Sequence, residues 1–261
     1  MREAPVGWQC SRCVRQDSRR APVVRWRPAA VRGRLGNTRL TPVVIAIIVV
    51  NVAVFIWEET NFDNIVDRFG LVANAITLQG QLVGVNNGQW YRLLTAPFLH
   101  ANIEHILFNM VTLAIVGSPV EAELGKPRFT ALYLTAALGG SVGSYLLSPP
   151  NELGVGASGA IFGLMGAYFV LARRRGWDVT TILVLIVLNL VIGFADSAID
   201  WRAHIGGLVT GAVVTLGLAH SADLRRSANR SAEVGIGVAT TVAAVGVLSL
   251  LALLPPGHVN L

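Results

Sequence analysis

Two polar side chains stand inside apolar stretches of this 261-residue chain, where a hydrocarbon environment makes polar groups costly. Ser158 lies in the run Gly156-Ala157-Ser158-Gly159 at the start of one apolar stretch, and His204 lies at a similar depth in a later one. A serine hydroxyl is a weak nucleophile unless a neighbouring base removes its proton, and histidine is suited to that role. The two residues therefore predict a nucleophile and its general base inside a membrane.

A second polar pair is suited to holding the negative charge that such an attack creates. His105 and Asn109 are four residues apart, so on a helix they project from one face, one turn apart. The backbone N–H of Ser158, near a helix N-terminus, would add a third donor. Donors fixed around a developing oxyanion stabilise the transition state, so these three groups are the predicted oxyanion donors.

Other interpretations of the same residues remain open. A lone serine in a membrane helix more often packs and bonds to its own backbone. Asp200, four residues before His204, is either a carboxylate that orients the histidine or a residue of the preceding loop. His100, His105 and His204 form a candidate three-histidine metal site, although the first two have poor spacing for joint ligation from one helical face.

The composition indicates an integral membrane protein. Hydrophobic residues make up 53% of the chain and charged residues 14%, against about 25% charged residues in soluble domains. Several apolar stretches, the second of them short, approach the roughly 20 residues that span a bilayer. They are residues 40–57, 103–118, 128–147, 155–172, 179–195, 203–219 and 234–254. We therefore predict an all-α fold, a polytopic membrane helical bundle.

The net charge of +6 is explained by the predicted topology, because the cations are distributed as in a membrane protein rather than as on a nucleic-acid-binding surface. With a cytoplasmic N-terminus and alternating spans, only Arg68, Arg92 and Arg202 of the 21 cations fall outside. This is the positive-inside pattern, which also suits anionic lipid. We expect no nucleic-acid partner and a multi-pass protein of the cell (plasma) membrane, with the C-terminus external. An organelle transit peptide is the alternative for the Arg-rich start.

The chain divides into four predicted parts. Residues 1–39 read as a cytoplasmic Arg-rich tail without apolar periodicity, 40–219 as the catalytic core, 220–233 as a cytoplasmic linker, and 234–261 as a seventh span with a short external tail. The tail holds Cys10-x-x-Cys13, which is half of a zinc ribbon. A zinc site shared in a dimer, or the remnant of a longer module, is the alternative to a pair without metal.

Two further features concern how the spans are positioned. Residues 58–102 form the longest loop, on the outer side, and its apolar residues have helix-like spacing near residues 62–71. Trp and Tyr near its end indicate a segment at the membrane interface. Small residues four apart mark close helix crossings, and they follow both Ser158 and His204. These pairs are Gly139-x-x-x-Gly143, Gly159-x-x-x-Gly163 and Gly207-x-x-x-Gly211.

Taken together, these residues resemble the motifs of the rhomboid intramembrane serine proteases. The matching pieces in chain order are Trp90-Tyr91-Arg92, His105-x-x-x-Asn109, Gly156-x-Ser158-Gly159 and Ala203-His204-x-Gly206-Gly207-x-x-x-Gly211. The resemblance covers residues 38–219. The combination in this order is specific, although each piece alone is weak.

The resemblance implies a rhomboid-like six-helix core with Ser158 as nucleophile and His204 as general base. The seventh helix, which follows this core, is similar to that of the six-plus-one subgroup of the family. It implies that Phe162 packs on the histidine, without the hydroxyl that a tyrosine would bring there. Trp90 and Arg92 would belong to a loop that steadies the core, and Gly156 and Gly159 would support the serine. Glu121 matches an acidic position with a structural role. The Cys-x-x-Cys resembles the end of a module found in some actinobacterial relatives.

The predicted function is that of an intramembrane serine endopeptidase. It would cleave single-span membrane proteins near the outer face of the bilayer, with no metal and no cofactor. One alternative is a catalytically inactive relative that binds transmembrane helices. Another is a transporter or proton relay, although the polar residues cluster near one face rather than at the midplane.

Overall fold

The computed structural model describes residues 2–4, 7–9, 39–77, 80–196, 199–225 and 230–254. Long helices dominate this part of the chain, and two short helices, α2 and α3, lie in the connection between the first two long ones. In chain order the helices are α1 (Pro42–Glu58), α2 (Phe62–Phe69), α3 (Arg92–Thr95), α4 (Ile103–Leu124), α5 (Lys126–Leu147), α6 (Ser158–Arg175), α7 (Thr180–Ala195), α8 (Trp201–Arg225) and α9 (Arg230–Leu251).

Strands are few and short among the described residues. Near the N-terminus β1 (Arg2–Ala4) pairs with β2 (Gly7–Gln9) in an antiparallel hairpin, within a unit of its own. The sequence analysis did not predict this hairpin, because three-residue strands are too short to show an alternating pattern. Cys10 and Cys13 lie outside the described residues. In the connection after α2, β3 (Ala75–Ile76) pairs with β4 (Leu82–Val83).

Every apolar stretch predicted to span the membrane falls on a helix, so the all-α bundle is confirmed. The second stretch is longer than predicted: α4 continues past Pro119 to Leu124, and Glu121 in this extension has hydrogen-bond partners inside the protein. The linker predicted over 220–233 is shorter, since α8 reaches Arg225 and α9 begins at Arg230. α6 begins at Ser158 rather than at 155.

The outward faces of the helices are apolar. By length and composition α4 and α5 can cross a bilayer, and α1, α7 and residues 237–251 are shorter apolar helices, within the residues that the structure describes. Large apolar side chains are more than half exposed on several of these faces, including Ile56, Phe108, Phe194 and Leu250. A soluble monomer rarely exposes so much apolar surface, whereas lipid accommodates it.

The bundle centre is built from direct backbone contact between α6 and α8. A Cβ atom on Gly207 would collide with the carbonyl oxygen of Gly159, and one on Gly211 would collide with that of Gly163. Without side chains at these positions the two helices approach closely, as the glycine spacing predicted. Gly140 of α5 joins the contact, since its Cβ would lie 3.0 Å from the Cα of Gly159.

The start of α1 is completed by a side chain from α4. The carboxylate of Glu121, which is 3% exposed, accepts hydrogen bonds from the hydroxyl of Thr41 and from the backbone N–H groups of Val43 and Val44, all within 3.1 Å. The first N–H groups of a helix have no partner within the helix, and negative charge is favourable there. Glu121 therefore caps α1 and ties it to α4.

Replacing Gly207 by alanine should force α8 away from α6. Overpacking of a closely packed contact costs about 1–3 kcal/mol, so thermal unfolding in detergent should move to lower temperature for Gly207→Ala. Gly246→Ala is the matched control, because a Cβ atom at Gly246 on α9 would meet no atom within 4 Å. Equal unfolding temperatures for the two variants would contradict the close crossing.

Replacing Glu121 by alanine should destabilise the protein by about 1–2 kcal/mol, the usual cost of losing a helix N-cap. Glu123→Ala, two residues away on α4, removes a carboxylate whose ion pair with Arg175 is partly exposed and is worth at most about 1 kcal/mol. Thermal unfolding of both variants in the same detergent tests this difference. An equal effect of the two substitutions would show that Glu121 does not cap α1.

Candidate active site

Ser158 stands at the point where an extended segment turns into a helix. Residues 148–157, called here the approach segment, join α5 to α6, and Ser158 is the first residue of α6. Gly156 has φ 127°, a conformation that side chains disfavour, and it turns the chain into the helix. The N–H of Ser158 therefore belongs to the first turn of α6, where backbone donors have no partner within the helix.

His204, on α8, lies directly beside Ser158. Its Nε2 is 2.9 Å from the Ser158 Oγ, and the ring is 5% exposed. The ring of Phe162, one turn along α6 from Ser158, stacks on the imidazole with centroids 4.1 Å apart and planes 9° apart. The stacking fixes the ring plane, so the serine and histidine predicted from the sequence meet within hydrogen-bonding distance.

Asp200 has a different task from orienting the histidine. Its Oδ1 accepts the backbone N–H groups of Arg202 and Ala203, at 3.1 and 3.0 Å, and so caps the start of α8. The second ring nitrogen of His204, Nδ1, is buried and has no hydrogen-bond partner among the described residues. Among the described residues, no hydrogen bond therefore joins Asp200 to the His204 ring.

His105 and Asn109, on α4, both lie beside Gly156. Asn102 caps α4 by accepting the His105 N–H at 2.8 Å, which places His105 in the first turn. A Cβ atom on Gly156 would lie 2.7 Å from His105 Nε2 and 3.9 Å from Asn109 Nδ2. The Asn109 Nδ2 is buried without a partner among the described residues. Both predicted donors therefore face the backbone two residues before Ser158.

His100 and Glu58 form a buried neighbourhood that the sequence analysis missed. Both side chains are 0% exposed, and the Glu58 carboxylate accepts the backbone N–H of His100 at 3.1 Å. The His100 ring packs edge-on against His105, with centroids 5.2 Å apart. The sequence signal that could have pointed to this neighbourhood is Glu58, a charged residue at the end of an apolar stretch. Across the described residues no three His, Cys, Asp or Glu side chains are grouped as a metal site requires.

Arg92 is a structural centre of the connection between α1 and α4. The residue is 1% exposed, and its guanidinium donates to the carbonyl oxygens of Gly70 and Asp67, at 2.6 and 2.7 Å, and to the side chain of Gln89. One planar fork thus joins the end of α2 to the start of α3. Trp90, by contrast, is 42% exposed, as suits a residue at a membrane interface.

The connection also holds the approach segment by its backbone. Leu71 and Gly154 exchange two hydrogen bonds, of 2.9 and 2.8 Å, and the Gly156 N–H bonds to the Ala96 carbonyl at 3.0 Å. On the other side Glu152 lies 3.7 Å from Arg202. Burial raises the pKa of the Glu152 carboxyl above its ordinary value, and Arg202 opposes that rise. The serine is therefore positioned from the connection and from α8 at once.

Comparison with known proteins places this architecture in a family. A family model described as the rhomboid domain matches residues 87–221, just over half of the chain. The chain is 42% identical over 167 residues to rhomboid protease GluP of Bacillus subtilis, covering 61% of this chain and 31% of that protein. It is 26% identical over 215 residues to rhomboid protease AarA of Providencia stuartii, covering 71% of this chain and 74% of AarA.

A plant protein matches over a shorter region. RHOMBOID-like protein 5 of Arabidopsis thaliana is 37% identical over 135 residues, covering 49% of this chain and 43% of that protein. The chain thus spans about a third of GluP and under half of the plant relative. The matched residues include His105, Asn109, Ser158 and His204, all of which lie within 87–221. The chain belongs to the rhomboid family of multi-pass membrane proteins.

Proposed function

We propose that the protein is an intramembrane serine endopeptidase that works through Ser158 and His204. The single observation that carries the proposal is the 2.9 Å separation of the Ser158 Oγ and the His204 Nε2, with the imidazole held by Phe162. That distance lies within the range a general base needs to take a proton directly. The rhomboid protease names of GluP and AarA support the same activity.

The mechanism follows from the proton positions. In the neutral imidazole that serves as base, Nε2 carries the lone pair and Nδ1 carries the proton. Ser158 Oγ attacks the substrate carbonyl while its proton passes to Nε2, and the imidazolium then protonates the leaving amine. Water attacks the resulting ester with His204 again as base, releasing the carboxylate product and restoring the hydroxyl.

The oxyanion of each tetrahedral intermediate needs donors on the side where it forms. We assign this role to the Ser158 N–H, the side chain of Asn109 and that of His105. The buried Asn109 Nδ2 supports the assignment, because an unpartnered buried donor is costly unless a ligand completes it. Gly156 leaves space for the oxyanion, since any side chain there would press on His105.

The substrate class follows from the location. We propose that the protein cleaves the transmembrane segments of single-span membrane proteins, near the outer face of the plasma membrane, with its own N-terminus in the cytoplasm. A helix hides its carbonyls in hydrogen bonds, so cleavage requires local unwinding. Substrates with Gly or Pro near the cut are favoured because those residues weaken helices. The four proposed site residues need neither metal nor cofactor for this chemistry.

Replacing either member of the dyad should abolish proteolysis. Ser158→Ala removes the nucleophile and His204→Ala the base, and each should lower kcat by about 10³-fold or more on a model transmembrane substrate in proteoliposomes. Ser118→Ala is the control, since its hydroxyl is buried without a partner among the described residues. A fluorophosphonate should label the wild type and Ser118→Ala, and it should not label Ser158→Ala. Unchanged cleavage by Ser158→Ala would refute the mechanism, whereas substrate binding without labelling or cleavage by the wild type would favour the inactive relative.

Replacing Asn109 should impair chemistry more than binding. Asn109→Ala removes one oxyanion donor, which typically costs about 10²–10³-fold in kcat, while KM stays nearly constant. Asn109→Asp has almost the same shape but turns a carboxylate oxygen toward the developing negative charge, so it should be slower still. Steady-state kinetics of both variants, compared at equal folded fraction, decide the matter. A rate for Asn109→Asp equal to that of the wild type would remove Asn109 from the oxyanion site.

A further inference from the structure

The last helix, α9, contributes no residue to the proposed active site, yet its C-terminal end contacts the long connection, residues 59–102. The two meet in an apolar cluster that is separate from the main core. Val85 and Leu93 of the connection, Val142 of α5, and Leu248 and Ala252 at the end of α9 all belong to it. Five buried side chains from three parts of the chain thus pack together at one end of the bundle.

A single hydroxyl joins the same three parts. Tyr145 on α5 is 4% exposed, and its Oη lies 2.6 Å from the Oδ1 of Asn86 and 3.2 Å from the carbonyl oxygen of Leu254. One phenolic proton cannot serve both acceptors fully. With the Asn86 amide turned over, its NH₂ donates to Oη and Oη donates to the Leu254 carbonyl, so both contacts are made at once.

Backbone hydrogen bonds link the chain around Asn86 to the approach segment, which leads into Ser158. The N–H groups of Val85 and Asn86 bond to the carbonyls of Val72 and Ala73, at 3.0 and 3.1 Å. The neighbouring Leu71 exchanges two hydrogen bonds with Gly154 in the approach segment. Gly154 precedes Ser158 by four residues, so these contacts run from Asn86 to the segment that carries the serine.

We propose that α9 braces the long connection through Tyr145, and that Tyr145 is thereby a positioning residue for the reaction. Only the positioning role of Tyr145 rests on the proposed proteolytic function. The brace itself is a statement about which segments are held together. Tyr145 touches no reacting group; it acts through Asn86, the residues that pair with it, and the approach segment.

The experiment uses the full-length protein with Tyr145→Phe, and Tyr168→Phe as the matched control. Tyr168 on α6 is equally buried, at 1% exposed, but its hydroxyl has no partner among the described residues. In hydrogen–deuterium exchange, Tyr145→Phe should accelerate exchange of both residues 71–99 and residues 248–254 relative to the wild type. Tyr168→Phe should leave both segments unchanged. Equal exchange in the two variants would overturn the brace.

An activity measurement separates an effect of Tyr145 on the position of the catalytic residues from an effect on the stability of the fold. Turnover is measured on a transmembrane substrate and divided by the fraction of molecules that a fluorophosphonate labels. Tyr145→Phe should lower kcat per labelled site by about 2- to 10-fold, the range that one net hydrogen bond represents. Loss of labelled fraction with unchanged kcat per labelled site would overturn the positioning role. Asn86→Ala combined with Tyr145→Phe should be no slower than the slower single variant.

The two arms distinguish the two proposals. If the wild type neither labels nor cleaves, the proposed function fails, and the exchange of residues 71–99 and 248–254 still tests the brace. If the wild type cleaves and Tyr145→Phe cleaves equally fast per labelled site, the proteolytic function stands and the positioning role of Tyr145 is refuted.

Discussion

The contact on which the site depends is the backbone-to-backbone approach of α6 and α8 at Gly159 and Gly207. Ser158 precedes Gly159 by one residue, and His204 precedes Gly207 by three. Because the contact is made by backbone atoms, it has almost no freedom to adjust. A side-chain interface could relax by changing rotamers, whereas here any added atom must move a whole helix. The short distance between the hydroxyl and the imidazole is the consequence of this rigid crossing.

The segment that leads to the nucleophile is held from a second direction by the long connection. The buried guanidinium of Arg92 donates hydrogen bonds to the carbonyl oxygens of Gly70 and Asp67. Leu71 and Ala96 then bind the backbone of the approach segment on either side of Val155. In this arrangement the connection supports the approach segment, because backbone hydrogen bonds join the two.

Much of the bundle could be predicted because membrane-spanning helices appear in the sequence as long apolar stretches. Glycines four residues apart indicate where such helices pack closely. Ser158, His204, His105 and Asn109 stood out because each is polar in an apolar stretch. The roles of the other residues could not be predicted, because they depend on contacts that the sequence does not reveal. Asp200 was open to two interpretations, since only the helix start shows that its carboxylate is engaged by backbone N–H groups. The position of Glu58 at the end of an apolar stretch did not reveal its partner, because the contact joins its carboxylate to the backbone N–H of His100, 42 residues away. The role of Tyr145 likewise requires knowing where α9 ends.

The cap that Glu121 provides has a consequence for how the protein is made. The N–H groups at the start of α1 bond to a carboxylate that lies 78 residues later in the chain from Val43. During synthesis α1 therefore enters the bilayer with these donors facing only water or lipid headgroups, and its first turn is completed only after α4 has been inserted beside it. The first turn of α1 is thus completed by a residue of a later helix, so this cap forms only once α4 is in place.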